Sequence, residues 1–390
     1  MRWTNKGNQF ETYKSLFSKR NRFLLVGCET SRYYFKNVVC PEPFKHALDY
    51  ANDERMLVEL HDETHIIVVT EFGEKGQDIL KRLMRAGYIR NVELLYYADP
   101  MWTDITDLNH PFVPMFAFYA MDKIYVSSSC IIPSSVCNLN CRDCLNFTPF
   151  LKKFETYDLQ KVCDDEDLLF KWIDYSERFQ ISGGEALLYP QLKELIDYTG
   201  NKYRSRIGIF EIVINGTIVP SDEICRAFVE HDMTVYLDNY VAEIPAKMNH
   251  REEIIEKFTE FNVKWVDNTV KEWFSLNPLE TDNSSKSDEE LAKYFDYCNN
   301  PWHNFENGKM YSCNFSRFAM KAGLINECEN DYYDFNTLTR DKRAELVEFL
   351  LGYTDKGYVD FCKRCSRWAG HNENRVPVAI QAKRGEIISE

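Results

Sequence analysis

Three cysteines in one short run, Cys137, Cys141 and Cys144, follow the spacing C-x3-C-x2-C with no fourth close by. Thiolates are soft ligands that favour iron–sulfur clusters, zinc or copper(I). Structural zinc takes four ligands, and no histidine lies between Cys130 and Cys163. Zinc at this triad would therefore need a distant fourth ligand, whereas a cubane cluster held by three cysteines keeps one iron open to a small molecule. Further along, Ile181-Ser182-Gly183-Gly184-Glu185 runs apolar residues into a glycine pair and a carboxylate. Glycines let a backbone approach a ligand closely because they carry no Cβ, and Glu185 supplies a negative charge for an ammonium group. Gly-Gly-Glu alone also marks ordinary turns; its place after the cysteine triad is what makes it informative.

A second set of thiols comes late. Cys298 is followed by nine residues, Gly308, four more and Cys313; Cys362 and Cys365 then form a close pair. Two plus two gives four thiolates, enough to saturate one [4Fe–4S] cluster or to build a four-cysteine zinc ribbon. Cys328 is a possible substitute for one of the four. The other cysteines (Cys28, Cys40, Cys130, Cys163 and Cys225) read as buried thiols, since free cysteine packs as a small hydrophobe.

The elements that must position these groups fall into three parts. Residues 1–125 read as a small Rossmann-like α/β unit: strands at Phe23–Gly27, His65–Thr70 and Val92–Tyr97, and a helix between Glu74 and Gly87 with Ile79, Leu80, Leu83 and Met84 on one face. The first turn, Gly27-Cys28-Glu29-Thr30-Ser31, lacks G-x-G-x-x-G, which favours a structural or docking role over dinucleotide binding. Residues 126–276 alternate strands (Phe179–Ser182, Phe210–Asn215, Met233–Asp238, Val263–Val266) with helices (Leu168–Tyr175, Leu192–Tyr198, Asp222–His231, Glu252–Phe261), and Ser221 is placed to N-cap the third helix. Repeated βα units with functional residues after strand ends predict a parallel barrel or open sheet. At two further strand ends, Asn215 and Asp238 with Tyr240 face the same rim; a plain βα turn would also carry such residues. The polar connector Leu276–Glu290 reads as a surface loop or, less readily, a lid. In residues 277–390, Asn307-Gly308 predicts a tight hairpin, and a helix over Lys342–Leu351 ends at Gly352.

At 390 residues, 44% of them hydrophobic, the chain has the length for two or three domains with large cores. Its net charge of −14 argues against a nucleic-acid or anionic-membrane partner. The start lacks a signal-peptide apolar region, no run is long enough to span a membrane, and thirteen cysteines without an export signal read as a metal protein of a reducing cytoplasm.

Together the triad, the Gly-Gly-Glu and the C-x9-G-x4-C of Cys298–Cys313 resemble the radical SAM superfamily with a C-terminal SPASM/Twitch domain, over about the last two thirds of the chain. The resemblance implies a partial (β/α)6 barrel; a [4Fe–4S] cluster on Cys137, Cys141 and Cys144; and S-adenosylmethionine held at Gly183, Gly184 and Glu185, with Asn215 and Asp238 beside it. It also implies an auxiliary [4Fe–4S] cluster on Cys298, Cys313, Cys362 and Cys365. No cysteine follows Cys365, which departs from the full SPASM pattern and favours the single-cluster Twitch layout, similar to that of 2-deoxy-scyllo-inosamine dehydrogenase. Two residues depart from the family: Ile214 stands where Thr is usual, and Asp143 where an aromatic residue contacts adenine. The implied chemistry is reductive cleavage of S-adenosylmethionine and removal of a hydrogen atom from a sugar or aminocyclitol carbon. Oxidation or epimerisation would follow, with electrons from a flavodoxin- or ferredoxin-type donor. Peptide modification is the runner-up and a non-enzymatic metal-binding module the third reading. No residue stands out as proton acceptor.

Overall fold

The computed structural model describes residues 1–51, 57, 63–97, 111–240, 242–298, 302–368 and 371–383. They form two compact units, Asn8–Ser127 and a larger one of Met1–Gly7 with Ser128–Glu390.

In the smaller unit, α1 (Glu11–Phe17) precedes β1 (Arg22–Val26), α2 (Glu29–Tyr34), β2 (Leu48–Tyr50), β3 (His65–Val69), α3 (Gly73–Arg85), β4 (Leu94–Tyr96) and α4 (Phe112–Met121). The strands pair in parallel in the order β2-β1-β3-β4. Helix α3 buries Ile79, Leu80 and Leu83, while Met84 is exposed, and Gly87 follows with φ +106°, as a helix C-terminus favours. Strand order reverses between β1 and β3, where open α/β sheets bind ligands beyond their strand ends. Here the chain fills that position itself. Glu71 accepts a hydrogen bond from the Cys28 N–H at 2.6 Å, and Ser31 and Thr70 hydroxyls lie 3.0 Å apart. A Cβ on Gly27 would meet Thr70 Oγ1 at 2.4 Å. A carboxylate stands where this turn would otherwise present its N–H to an anion, which suits a structural role. Cys28 is exposed, not buried as expected, because it caps α2 in this turn; Cys40, Cys130, Cys163 and Cys225 are buried.

The larger unit is built on β5 (Tyr125–Ser134), α5 (Leu159–Trp172), β6 (Tyr175–Gly183), α6 (Leu192–Tyr203), β7 (Ile207–Ile214), α7 (Asp222–Glu230), β8 (Met233–Asp238), α8 (Arg251–Phe261) and β9 (Lys264–Asn268). After β10 (Trp273–Phe274) come α9 (Asp288–Asp296), β11 (His303–Glu306), β12 (Lys309–Tyr311), α10 (Asn314–Lys321), β13 (Tyr332–Asp334), α11 (Arg343–Leu350) and β14 (Arg375–Val376). One eight-stranded sheet runs β13-β12-β11-β5-β6-β7-β8-β9. From β6 to β9 the pairs are parallel, β11 joins β5 in parallel, and β11–β12–β13 are antiparallel. The sheet is therefore mixed, and the late cysteine segment shares it with the βα units.

Phe170, Phe179, Phe210, Phe228 and Phe258 are fully buried among the βα units. Ser221 caps α7, accepting from the Ile224 N–H at 3.3 Å. One expected helix moves: Leu168–Tyr175 straddles the end of α5 and the start of β6. The helix begins instead at Asp158, whose carboxylate accepts from the Gln160 N–H at 2.9 Å. An apolar run of that length does not by itself mark where a helix gives way to a strand. The hairpin forms as read, with Asn307 and Gly308 at φ +53° and +72° linking β11 to β12 as a two-residue turn demands. Met1–Gly7 belong to this unit because Trp3 Nε1 and the Gly7 N–H both donate to Glu348, at 2.8 and 2.7 Å. No helix among the described residues is long and apolar enough to cross a membrane.

Candidate functional site

The cysteine loop leaves the end of β5 and is laid against the end of β6 by backbone hydrogen bonds. The Gly184 N–H donates to Ser134 O at 3.1 Å and the Glu185 N–H to Val136 O at 2.8 Å. Both glycines are required by this packing. A Cβ on Gly183 would stand 2.4 Å from Ser134 O, and one on Gly184 2.3 Å from Val136 O. The close approach that the glycine pair permits is thus, first, that of the cysteine loop itself. Asn146 Nδ2 ties the far side of the loop to Gly183 O at 2.6 Å.

Glu185 follows at 2% exposure. Its two carboxylate oxygens accept from the N–H groups of Leu187 (3.0 Å) and Asn215 (2.8 Å), which anchors it to the end of β7. Burial pushes its pKa up to about 7, with Asp238 adding to the rise and the two N–H groups opposing it. Asn215 Nδ2 donates to Asn138 Oδ1 at 3.0 Å and lies 4.0 Å from Cys137 Sγ, while Asn138 donates to Thr217 at 2.7 Å. Asp238, at the end of β8, accepts from the Tyr240 hydroxyl at 2.6 Å and from Asn268 at 2.5 Å. Burial raises its pKa to about 6 against those donors and Arg251.

The triad itself sits in a largely apolar setting. Leu139, Cys141, Ile244, Val378 and Ala379 form a buried cluster, with Cys137, Cys144, Tyr240 and Trp273 packed on it. Burial pushes the Cys137 and Cys141 thiols up to about 12, and each is raised further by its neighbouring cysteines; Glu185 acts on Cys137 and Asp238 on Cys141. Cys144 Sγ lies 3.4 Å from Thr148 Oγ1 and Cys141 Sγ accepts from Gln381 Nε2 at 3.2 Å. Thus Cys137, Cys141, Cys144, Gly183, Gly184, Glu185, Asn215 and Asp238 converge at the ends of β5 to β8.

A cavity of about 200 Å³ opens beside Gly183 and Gly184, with Ser135, Asn146 and Thr148 in its wall and Lys152, Lys153 and Lys321 among its charged lining.

The second set gathers around an apolar cavity of about 20 Å³ lined by Cys298, Cys313, Cys362, Cys365, Phe361 and Arg367, with four further residues. Burial and the neighbouring thiols both raise the pKa of Cys362 and Cys365, and the Arg367 N–H donates to Cys365 Sγ at 3.3 Å. Cys328 is not in this lining; its sulfur lies 3.9 Å from Lys356 Nζ. The connector read as a surface loop contributes here. Asn283, 8% exposed, donates from Nδ2 to the carbonyls of both Cys362 and Cys365, at 3.0 and 3.2 Å. Nothing in its sequence neighbourhood marks that role, nor that of Gln381.

Zinc can be weighed against these distances. With Zn–S near 2.3 Å, tetrahedral thiolates sit about 3.8 Å apart. Among the described residues, the set of three or more His, Cys, Asp or Glu ligand atoms lying within 4.8 Å of one another is Asp197, Glu230 and His231. Neither cysteine group meets that spacing among the described residues.

No family model and no curated protein matches the chain. Among solved structures, BtrN in complex with AdoMet and 2-DOIA is similar at 15% identity and TM-score 0.41, over 64% of this chain and 96% of that one. Native anSMEcpe with bound AdoMet is similar at 15% identity and TM-score 0.39, over 59% and 81%. Streptococcus suis SuiB bound to S-adenosylmethionine is similar at 13% identity and TM-score 0.28, over 48% and 39%. These low scores leave the chemistry to be read from the chain's own residues.

Proposed function

We propose that the chain is a radical SAM enzyme acting on a small carbohydrate-type molecule. In this reading Cys137, Cys141 and Cys144 hold a [4Fe–4S] cluster, and Glu185 takes the amino group of S-adenosylmethionine. Gly183, Gly184, Asn215 and Asp238 surround that cofactor, and Cys298, Cys313, Cys362 and Cys365 hold an auxiliary [4Fe–4S] cluster. When bound, these groups supply one-electron chemistry and hydrogen-atom removal from an unactivated carbon.

The observation that carries the reading is Glu185: a buried carboxylate with no ion pair among the described residues, set beside three thiols. A buried charge is costly unless paired, and an ammonium group bound there would supply the missing charge. Asn138 and Asn215 hold the triad loop to β7, and Trp273 and Tyr240 pack on the apolar cluster beside it. The adjoining cavity presents the Thr148 hydroxyl, the Asn146 amide and the charged groups of Lys152, Lys153 and Lys321 beside apolar walls from Ile132, Leu151 and Phe318, a mixture that suits a small polyol. Four thiols at a separate cavity, Cys298 half-buried and the other three buried, suit an electron acceptor for an oxidation; return of a hydrogen atom would give an epimer instead.

Anaerobic reconstitution should load about eight iron atoms per chain, four per cubane cluster; about four would remove the auxiliary cluster from the reading. Dithionite-reduced protein should release 5′-deoxyadenosine from S-adenosylmethionine, and Cys137→Ala should abolish this. Persistence in the variant would refute the site.

A further inference from the structure

Cys141 is approached by a segment far away in sequence. The Ala382 N–H donates to Asn140 O at 2.7 Å, the Arg142 N–H donates to Ile380 O at 2.7 Å, and Asn140 Nδ2 donates to Ala382 O at 3.0 Å. Residues 380–382 therefore run antiparallel to the cysteine loop, with a bridge between Cys141 and Gln381. The orientation of the Gln381 amide follows from its neighbours. Its Oε1 accepts from the Asn140 N–H at 2.8 Å and its Nε2 donates to Ala379 O at 2.7 Å, which leaves the other Nε2 hydrogen for Cys141 Sγ at 3.2 Å. Among the described residues, Gln381 comes nearest to a triad sulfur, with Thr148 at 3.4 Å and Asn215 at 4.0 Å.

We infer that Gln381 is a positioning residue that sets the electron affinity of the cluster held by the triad, through its hydrogen bond to Cys141. The inference rests on the function proposed above. Hydrogen bonds to cluster sulfurs are among the determinants of reduction potential. An N–H donor stabilises the reduced cluster more than the oxidised one, because the reduced cluster places more negative charge on its thiolates. The surrounding side chains of Leu139, Ile244, Val378 and Ala379 lower the local dielectric and strengthen the bond. Removing it should make the cluster harder to reduce while leaving the ligands in place.

The test is redox titration of the reconstituted full-length chain, following the electron paramagnetic resonance signal that responds to added S-adenosylmethionine. Gln381→Leu should shift its midpoint to more negative potential, by on the order of a tenfold change in the reduction equilibrium, about 59 mV for one electron. Asn140→Ala removes the bond to Ala382 O but keeps the Gln381 amide on the sulfur, so its midpoint should stay with the wild type. An unchanged midpoint in Gln381→Leu at full iron content would overturn the inference. So would equal shifts, or equal loss of iron, in both variants, since either outcome would make residues 380–382 a clamp only. A wild-type chain that takes up no cluster at the triad would remove the proposed function and this inference together, whereas a loaded, cleavage-competent wild type with a silent Gln381→Leu would remove the inference alone.

Discussion

A buried carboxylate is costly to charge without a partner, and Glu185 keeps its place through the Leu187 N–H of the turn it caps and the Asn215 N–H at the end of β7. That arrangement holds the group ready for an ammonium ligand. Glu185→Gln should weaken S-adenosylmethionine binding about 10- to 100-fold, the worth of a hydrogen bond to a charged group; equilibrium dialysis giving wild-type affinity would contradict the assignment. Glu166 offers a contrasting case away from the site. Burial raises its pKa to about 8 against a single donor, the Thr199 hydroxyl. The native state then binds this proton more tightly than the unfolded chain does. The resulting stability is fully present below about pH 4.5 and is lost as pH rises through 8. Urea midpoints of the cofactor-free chain at pH 5 and pH 8 should therefore differ less in Glu166→Gln than in wild type.

At the scale of elements, the type of each segment was legible wherever local chemistry decides it. Asn307-Gly308 turns because both positions need positive φ, and Ser221 caps because its hydroxyl meets a free N–H. The boundary of α5 was not legible, since Leu168–Tyr175 is apolar through both a helix end and a strand start. The connector before α9 is largely exposed, as its polar composition suggests, but one amide, Asn283, is buried against the Cys362–Cys365 turn, which composition does not mark. Asn283→Ala would leave both carbonyls without this donor. It should cost about 1–3 kcal/mol and loosen the second cysteine set, read as iron content falling from about eight toward about four per chain with 5′-deoxyadenosine release retained.

For the whole molecule, the decisive contact is between the hairpin and the helix after it. Glu306 of β11 and Arg317 of α10 are each 3% exposed and paired at 2.7 Å. Burial alone would raise the Glu306 pKa, but Arg317 outweighs it, with Lys321 and the Tyr157 hydroxyl adding to the effect, and holds it at about 2. This pair joins the segment carrying Cys313 to the sheet carrying the triad. Arg317→Met leaves Glu306 with Lys321 at 3.4 Å and the Tyr157 hydroxyl, so it should destabilise the larger unit by less than the about 3–5 kcal/mol of a fully unpaired buried charge, measured by urea denaturation at pH 7; a loss below about 1 kcal/mol would mean those remaining partners suffice.

By itself the amino-acid sequence determined the two cysteine sets, the Gly-Gly-Glu and the strand ends bearing Asn215 and Asp238, because spacing and turn chemistry are local. Tertiary structure alone decided what surrounds them. The glycine pair makes room for the cysteine loop, Asn283 ties down a turn far along the chain, and Gln381 reaches Cys141 from 240 positions away. A hydrogen bond depends on distance in space, and no residue type or period in either segment encodes which remote partner the folded backbone will bring to about 3 Å.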